Sequence, residues 1–245
     1  MRDGAIGRPV YAESNLDDNI SVPRSLWGER SRKWASESST AYFLLPHIVD
    51  LYHWLFAPAR VLFVQAMKQD MALGYCPDLY DAHLFWDNGL KTRAKAAWIK
   101  QMETLVQFHL AVDGAQGGIE ARRLAGYGAA PGWRALLDPG WSETRAQALA
   151  EALRGDGLDV RQEWIADPTQ SGDGRRGRLE LGSPGDKADC DLFLAAVAEA
   201  TDEPSGWRGY GPLPSGQDGL EAARVVHAIV ESAETGQSIR LRRPH

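Results

Sequence analysis

The stretch Ser39–Phe56, STAYFLLPHIVDLYHWLF, decides how the rest of the chain is read. At about 100° per residue, Leu44, Ile48, Leu51 and Leu55 fall on one helical face, and Phe43, His47, Asp50 and Trp54 on the neighbouring one. Such a helix packs on one side and presents chemistry on the other. Ser38, Ser39 and Thr40 are each suited to cap its start, and Pro58 stops the run just past Phe56. Pro46, inside the pattern, either marks the true first turn or kinks the helix.

His47 and Asp50 are neighbours on that surface, because positions i and i+3 lie side by side on a helix. A carboxylate beside an imidazole raises its basicity, which suits a general base that takes a proton from a hydroxyl near neutral pH. A hydrogen-bonded core histidine with a structural carboxylate satisfies the same spacing, so the residues alone leave both readings open. His53 and His83 could join His47 and Asp50 around a metal, but HxxDxxH is a weak ligand spacing and no metal is expected.

Outward from this helix, 245 residues with 44% hydrophobic and 24% charged composition fit one large domain or two small ones with a real core. A net charge of −6 with interspersed signs, and a basic cluster limited to Arg240, Arg242 and Arg243, argues against a nucleic-acid partner. No apolar run approaches a membrane span and the N-terminus MRDGAIGRPVY lacks the core of a signal peptide, so the expected location is the cytoplasm. Cys76 and Cys190 stand far apart without CxxC partners and read as ordinary thiols.

In chain order, Gly4, Gly7 and Pro9 predict a turn handing over to a short strand from Val10 to about Ser14. Residues 15–38 read as a polar loop carrying Trp27 and Trp34, placed to cover the stripe of the helix. From Val61 to Glu120 the pattern predicts four or five mainly antiparallel strands, with hairpin signals at Asp87-Asn88-Gly89 and Asp113-Gly114. The aromatic set Phe85, Trp86, Trp98 and Phe108 on those strands is expected to pack the sheet against helices or a second subunit. The stretch 122–187 reads as a loop-rich insertion with one amphipathic helix, SETRAQALAEAL, capped by Ser142, and a loop over 167–187. Helices are predicted over about 188–200 and 217–234, the second closed by Gly236, before a final short strand, SIRLR. One helix, several strands and then helices argue for an α+β fold.

PHIVDLYHWLF, the strand after it, DNGLKTRAKAAWI, the turn DGAQGGIE and the ending DGLEAARVVHAIVESAETGQSIRL stand in an order that resembles one family. Together they are similar to the C-terminal domain of the Gfo/Idh/MocA family of glucose-fructose oxidoreductases and inositol dehydrogenases. GAIGRPVYAE resembles the place where those enzymes leave their nucleotide-binding domain. The resemblance implies an open, mainly antiparallel sheet with helices on one face, the other face pairing subunits into a homo-oligomer. It implies hydride transfer between NAD or NADP and a hydroxyl or ketone of a sugar or cyclitol. His47 matches the histidine that binds the reacting hydroxyl and helps move its proton, and Asp50 the acidic residue after it. Tyr42 and Lys33 lie near the stripe and could reach substrate hydroxyls, while Trp98 and Lys100 occupy a strand end that borders the cleft in similar proteins.

Two departures stand out. Ser38, Ser39, Thr40 and Phe43 occupy positions where the pattern carries a glycine run and an aspartate, and Phe43 can neither ionise nor hydrogen-bond. The chain also lacks GxGxxG after an opening strand and an EKP segment, so no residue is assigned to the cofactor. The implied reading is a substrate-binding and oligomerisation domain whose Rossmann domain is truncated or supplied by a separate chain. The alternative is a non-catalytic carbohydrate-binding or scaffolding module that keeps the fold.

Overall fold

Alternation of small apolar and polar residues carries the first strand well beyond Ser14. In the computed structural model, which describes residues 4–102, 104–125, 132–156, 158–167, 174–182 and 215–241, β1 spans Pro9–Asn19. Ala12, Ser14 and Leu16 on its inner side are buried. Residues up to 38, expected as a loop, fold instead into the short α1 (Ser21–Arg24) and α2 (Glu29–Glu37). The polar composition that suggested a loop is the solvent side of α2, while Ser31 and Ala35 on its other side are buried.

The central helix, α3, spans Thr40–Phe56 with Ser39 as N-cap, although the Ser39 hydroxyl makes no capping bond. Pro46 lies inside it, so the helix starts before the proline. Leu44, Leu45, Ile48, Val49 and Tyr52 are buried against the sheet, and the Tyr52 hydroxyl donates to the Arg93 carbonyl at 2.5 Å.

Strands β2 (Val61–Gln69), β3 (Leu79–Trp86), β4 (Lys91–Lys100), β5 (Val106–Gly114) and β6 (Gly118–Ala125) follow, the five antiparallel segments anticipated. Gly89, with φ of 86°, makes the β3–β4 turn where Asp87-Asn88-Gly89 predicted it. Gly114 serves differently from a turn glycine: a Cβ there would lie 2.0 Å from the Ile6 carbonyl oxygen, so close approach of the N-terminal segment demands it.

The stretch 122–187, expected to be loop-rich, contributes β7 (Gly132–Leu136), α4 (Glu143–Gly155), β8 (Val160–Ala166) and β9 (Arg175–Leu181). Ser142 caps α4 as expected, accepting from the Arg145 amide. β9 corrects the loop expected over 167–187: RRGRLEL has no convincing local alternation, yet it pairs on both sides, with β7 and β8. Buried Arg176 donates to the Leu137 carbonyl at 3.0 Å and to the Gln116 carbonyl at 2.6 Å, tying β9 to the β5–β6 turn. The helix expected over 188–200, and Cys190, lie outside the described residues. The last helix, α5 (Gly216–Thr235), has a Ser215/Asp218 capping box and ends at left-handed Gly236, and β10 (Ile239–Arg240) follows.

The result is a ten-stranded sheet in the order β10-β2-β3-β4-β1-β5-β6-β7-β9-β8, antiparallel except for the β1–β4 pair. One core joins α3 and α5 to β1–β5, and a second joins Leu137, Trp141, Ala146, Ala150, Val160 and Leu179 around α4. Register places Leu179, Ala135, Ile119 and Val112 across from one another, so α4 packs on the same face as α3 and α5. This is the α+β arrangement expected, with helices gathered on one face.

The opposite face is ionic. Arg93 pairs with Asp81 through two parallel bonds of 2.9 and 2.5 Å, and Asp17 lies 2.8 Å from the Lys95 ammonium and 2.6 Å from that of Lys100. Phe63 stacks on Phe85 there at 4.2 Å between ring centroids. Among the described residues, no helix is long and apolar enough to cross a membrane.

Candidate functional site

Burying Leu44, Ile48 and Tyr52 leaves the neighbouring stripe of α3 facing outward. His47 and Asp50 are exposed, as are Tyr42 and Trp54, and Phe43 retains 38% of its surface. His47 and Asp50 share the stripe without a hydrogen bond between them, so each is available to a third molecule. The stripe ends at a cavity of about 450 Å³ lined by Trp54, Phe56, Pro58, Pro9, Asp87 and Asn88, which lies beyond the far end of the helix from Phe43 and does not include His47.

Around the first turns of α3 the aromatic residues converge. Phe43 meets Trp34 edge-on at 4.9 Å, Trp34 meets Trp27 edge-on at 5.2 Å, and Trp98 lies 5.2 Å from Trp34 and 6.2 Å from Phe43. Trp98 is wholly buried, and its indole N–H donates to the Asp18 carboxylate at 3.2 Å. It therefore supports the site from below and is not open to a substrate. The Lys100 ammonium is held by Asp17 and by Gln107 at 2.9 Å on the ionic face, away from the His47 stripe. Lys33 is exposed on α2, the helix that carries Trp34. Of the residues singled out in the sequence, His47 and Asp50 thus share one stripe, Tyr42 is exposed on another side of α3, toward Tyr80, and Trp98 and Lys100 do not reach the stripe.

Sequence reasoning missed the role of Phe43, Trp34 and Trp27 together. Two tryptophans in a segment preceding an amphipathic helix with an aromatic on its polar stripe were the available signal. It also missed Asp18. Desolvation raises the Asp18 pKa to about 6, the neighbouring Asp17 charge adds to the rise, and the Trp98 hydrogen bond opposes it.

Because the folded pKa lies above the unfolded value, the stability that the protonated carboxyl contributes is complete below the unfolded pKa and is lost as pH rises through about 6. Asp18→Asn, which keeps an acceptor for Trp98, should raise the melting temperature by about 2–6 °C at pH near 8 and leave it unchanged near pH 4. A fall at the higher pH in thermal scans would mean that the carboxylate is held by a favourable partner. His53 shifts the other way: burial lowers its pKa, against the pull of Asp50, Glu221 and Asp218. Its contribution is accordingly lost as pH falls through the ordinary imidazole range.

Cys76 is a buried thiol pushed up to about 11 by desolvation, and hence a poor nucleophile. No cluster of three or more metal-ligating side chains occurs among the described residues.

An open, mainly antiparallel sheet with helices on one face defines the fold class: that of the C-terminal domain of Gfo/Idh/MocA-type oxidoreductases. The individual likenesses are structural and remote in sequence. Levoglucosan dehydrogenase in complex with NADH has a TM-score of 0.65 and 18% identity, over 99% of this chain and 61% of that one. Aldose-aldose oxidoreductase from Caulobacter crescentus, complexed with glycerol, has a TM-score of 0.60 and 17% identity, over 98% and 58%. Myo-inositol 2-dehydrogenase from Lactobacillus plantarum has a TM-score of 0.57 and 15% identity, over 98% and 59%. The chain thus spans less than two thirds of the length of these proteins. No family model and no curated protein matches the sequence.

Proposed function

We propose that this chain is the substrate-binding and oligomerisation domain of an NAD(P)-dependent oxidoreductase acting on a sugar or cyclitol. The observation that carries this reading is the solvent-facing His47–Asp50 stripe on the central helix of a fold shared with NADH-binding sugar dehydrogenases. His47 would accept the proton of the reacting hydroxyl, with Asp50 beside it on the stripe to meet a neighbouring hydroxyl. Tyr42, on another side of α3, reaches the substrate only if it extends around the helix. Lys33 joins them only if the substrate extends toward α2.

The residues described do not fit a dinucleotide. The parallel pair β1–β4 is not followed by a glycine-opened helix: β4 runs on into antiparallel β5, and β1 into the short α1. The cofactor would be held by a nucleotide-binding domain outside these 245 residues, on the same polypeptide or on another. The ionic sheet face, with its Phe63–Phe85 stack, is the surface offered to a second subunit. A cytoplasmic location, and no role for nucleic acid at a net charge of −6, complete the reading.

The test is fluorescence titration with NADH and NADPH. The chain alone should leave the nicotinamide emission unchanged, and adding a separately expressed nucleotide-binding domain of a sugar dehydrogenase of this fold should enhance it and shift it to the blue. Tight binding by the chain alone would overturn the division of labour proposed.

A further inference from the structure

Phe43, on the stripe of His47, is partly exposed yet packed within a cluster of aromatic rings. Phe43 is 38% and Trp27 47% exposed, yet each packs edge-on against Trp34. Trp34 in turn leans on buried Trp98, which Asp18 holds by its indole N–H. Four rings at centroid spacings of 4.9 to 6.2 Å form a supported surface whose side chains have little rotamer freedom left to lose on binding. Phe43 stands one helical turn before His47 on the same stripe, a separation of roughly 5–6 Å between Cβ atoms.

An apolar, rigid surface bordered at one turn's distance by an imidazole and a carboxylate matches a particular kind of solute. It needs one face of C–H bonds and an edge of hydroxyls, with no charge to desolvate against Phe43. We propose that the Phe43 ring, braced edge-on by Trp34 and through it by Trp27, stacks on the C–H face of a pyranose or cyclitol ring while a ring hydroxyl meets His47. This makes the aromatic surface a determinant of specificity for cyclic over open-chain polyols, and it rests on the substrate-domain reading above. An acyclic polyol offers the same hydroxyls without a rigid C–H face, and so loses the stacking contribution.

The experiment compares myo-inositol and methyl β-D-glucopyranoside with D-glucitol by saturation-transfer NMR and tryptophan fluorescence, using the full chain. The ring compounds should bind at least about fivefold more tightly than glucitol, with saturation strongest on the axial C–H protons, as expected for about 1 kcal/mol of stacking. Phe43→Ala should remove that preference by weakening the ring compounds and leaving glucitol unchanged. Trp27→Ala, at the exposed end of the cluster where folding is least at stake, should reduce it by a smaller factor.

Equal binding of ring and open-chain polyols, with both weakened by His47→Ala and neither by Phe43→Ala, would overturn the stacking inference and leave the substrate-domain reading intact. No binding of any of the three, with or without an added nucleotide-binding domain, would overturn both. Sugar binding indifferent to Phe43→Ala and Trp27→Ala, with docking of the nucleotide-binding domain weakened by them, would assign the surface to a domain contact instead.

Discussion

On the function proposed above, replacing His47 with alanine is expected to lower turnover of the chain assembled with a nucleotide-binding domain by about two to four orders of magnitude, the usual contribution of a positioned acid/base group. The expectation follows from place and chemistry. His47 is exposed on the stripe of α3 while its neighbours Ile48 and Leu44 are buried, so its loss leaves the core intact. A residue that moves a proton in the transition state lowers kcat and kcat/KM together, whereas one that merely contacts the ground-state sugar raises KM. Steady-state kinetics across a range of pH separates the two: wild type should show an ionisation in kcat/KM that the variant lacks. A change of less than about threefold, with the pH profile preserved, would remove His47 from the chemistry. Asp50→Asn should have a smaller effect, because no hydrogen bond locks Asp50 to His47.

Gly114→Ala is expected to be the most damaging Gly→Ala change among the described glycines. The new Cβ would sit 2.0 Å from the Ile6 carbonyl oxygen and 3.0 Å from the Ile6 side chain, and Ile6 is itself fully buried. Backbone against backbone cannot yield by a rotamer change, so the N-terminal segment must lift away from the β5–β6 turn, breaking the Gln116 amide bond to the Ile6 carbonyl at 3.1 Å. The cost is about 3 kcal/mol or more, which corresponds to a drop of roughly 6–12 °C in melting temperature for a chain of this size. Gly219→Ala is the matched control: nothing lies within 4 Å of its added Cβ, and it stands inside helix α5. That change should stabilise by up to about 1 kcal/mol. Thermal unfolding of both variants checks the pair, and a tolerated Gly114→Ala would mean that the N-terminal segment is not seated as described.

The parts legible in the sequence were those in which local chemistry and tertiary structure agree. α3 begins after Ser39 and ends before Pro58, α4 begins at its Ser142 cap, and α5 runs from a capping box to a left-handed glycine. The outward stripe of His47 and Asp50 followed from the periodicity alone, since a face left over after the apolar residues are buried has only solvent to meet. Trp98 and Lys100 stand two apart on β4, on one side by strand alternation, yet part company in the fold. Trp98 lies on the helix side, and the register shift where β1 ends against β4 sends Lys100 to Asp17 on the other face.

What the sequence by itself determined is α3, α4 and α5 with their boundaries, the hairpin at Gly89 and the face of α3 left to solvent, because each depends on residues within a few positions of one another. Only the tertiary structure decided that β1 lies parallel to β4, that β9 is a strand, that Gly114 is needed for contact rather than for a turn, and that four aromatic rings spread over residues 27–98 meet around Trp34 and Phe43. Those outcomes rest on pairings between residues distant in the chain, whose loop-closure cost and packing gain are settled by the whole sheet and have no local signature.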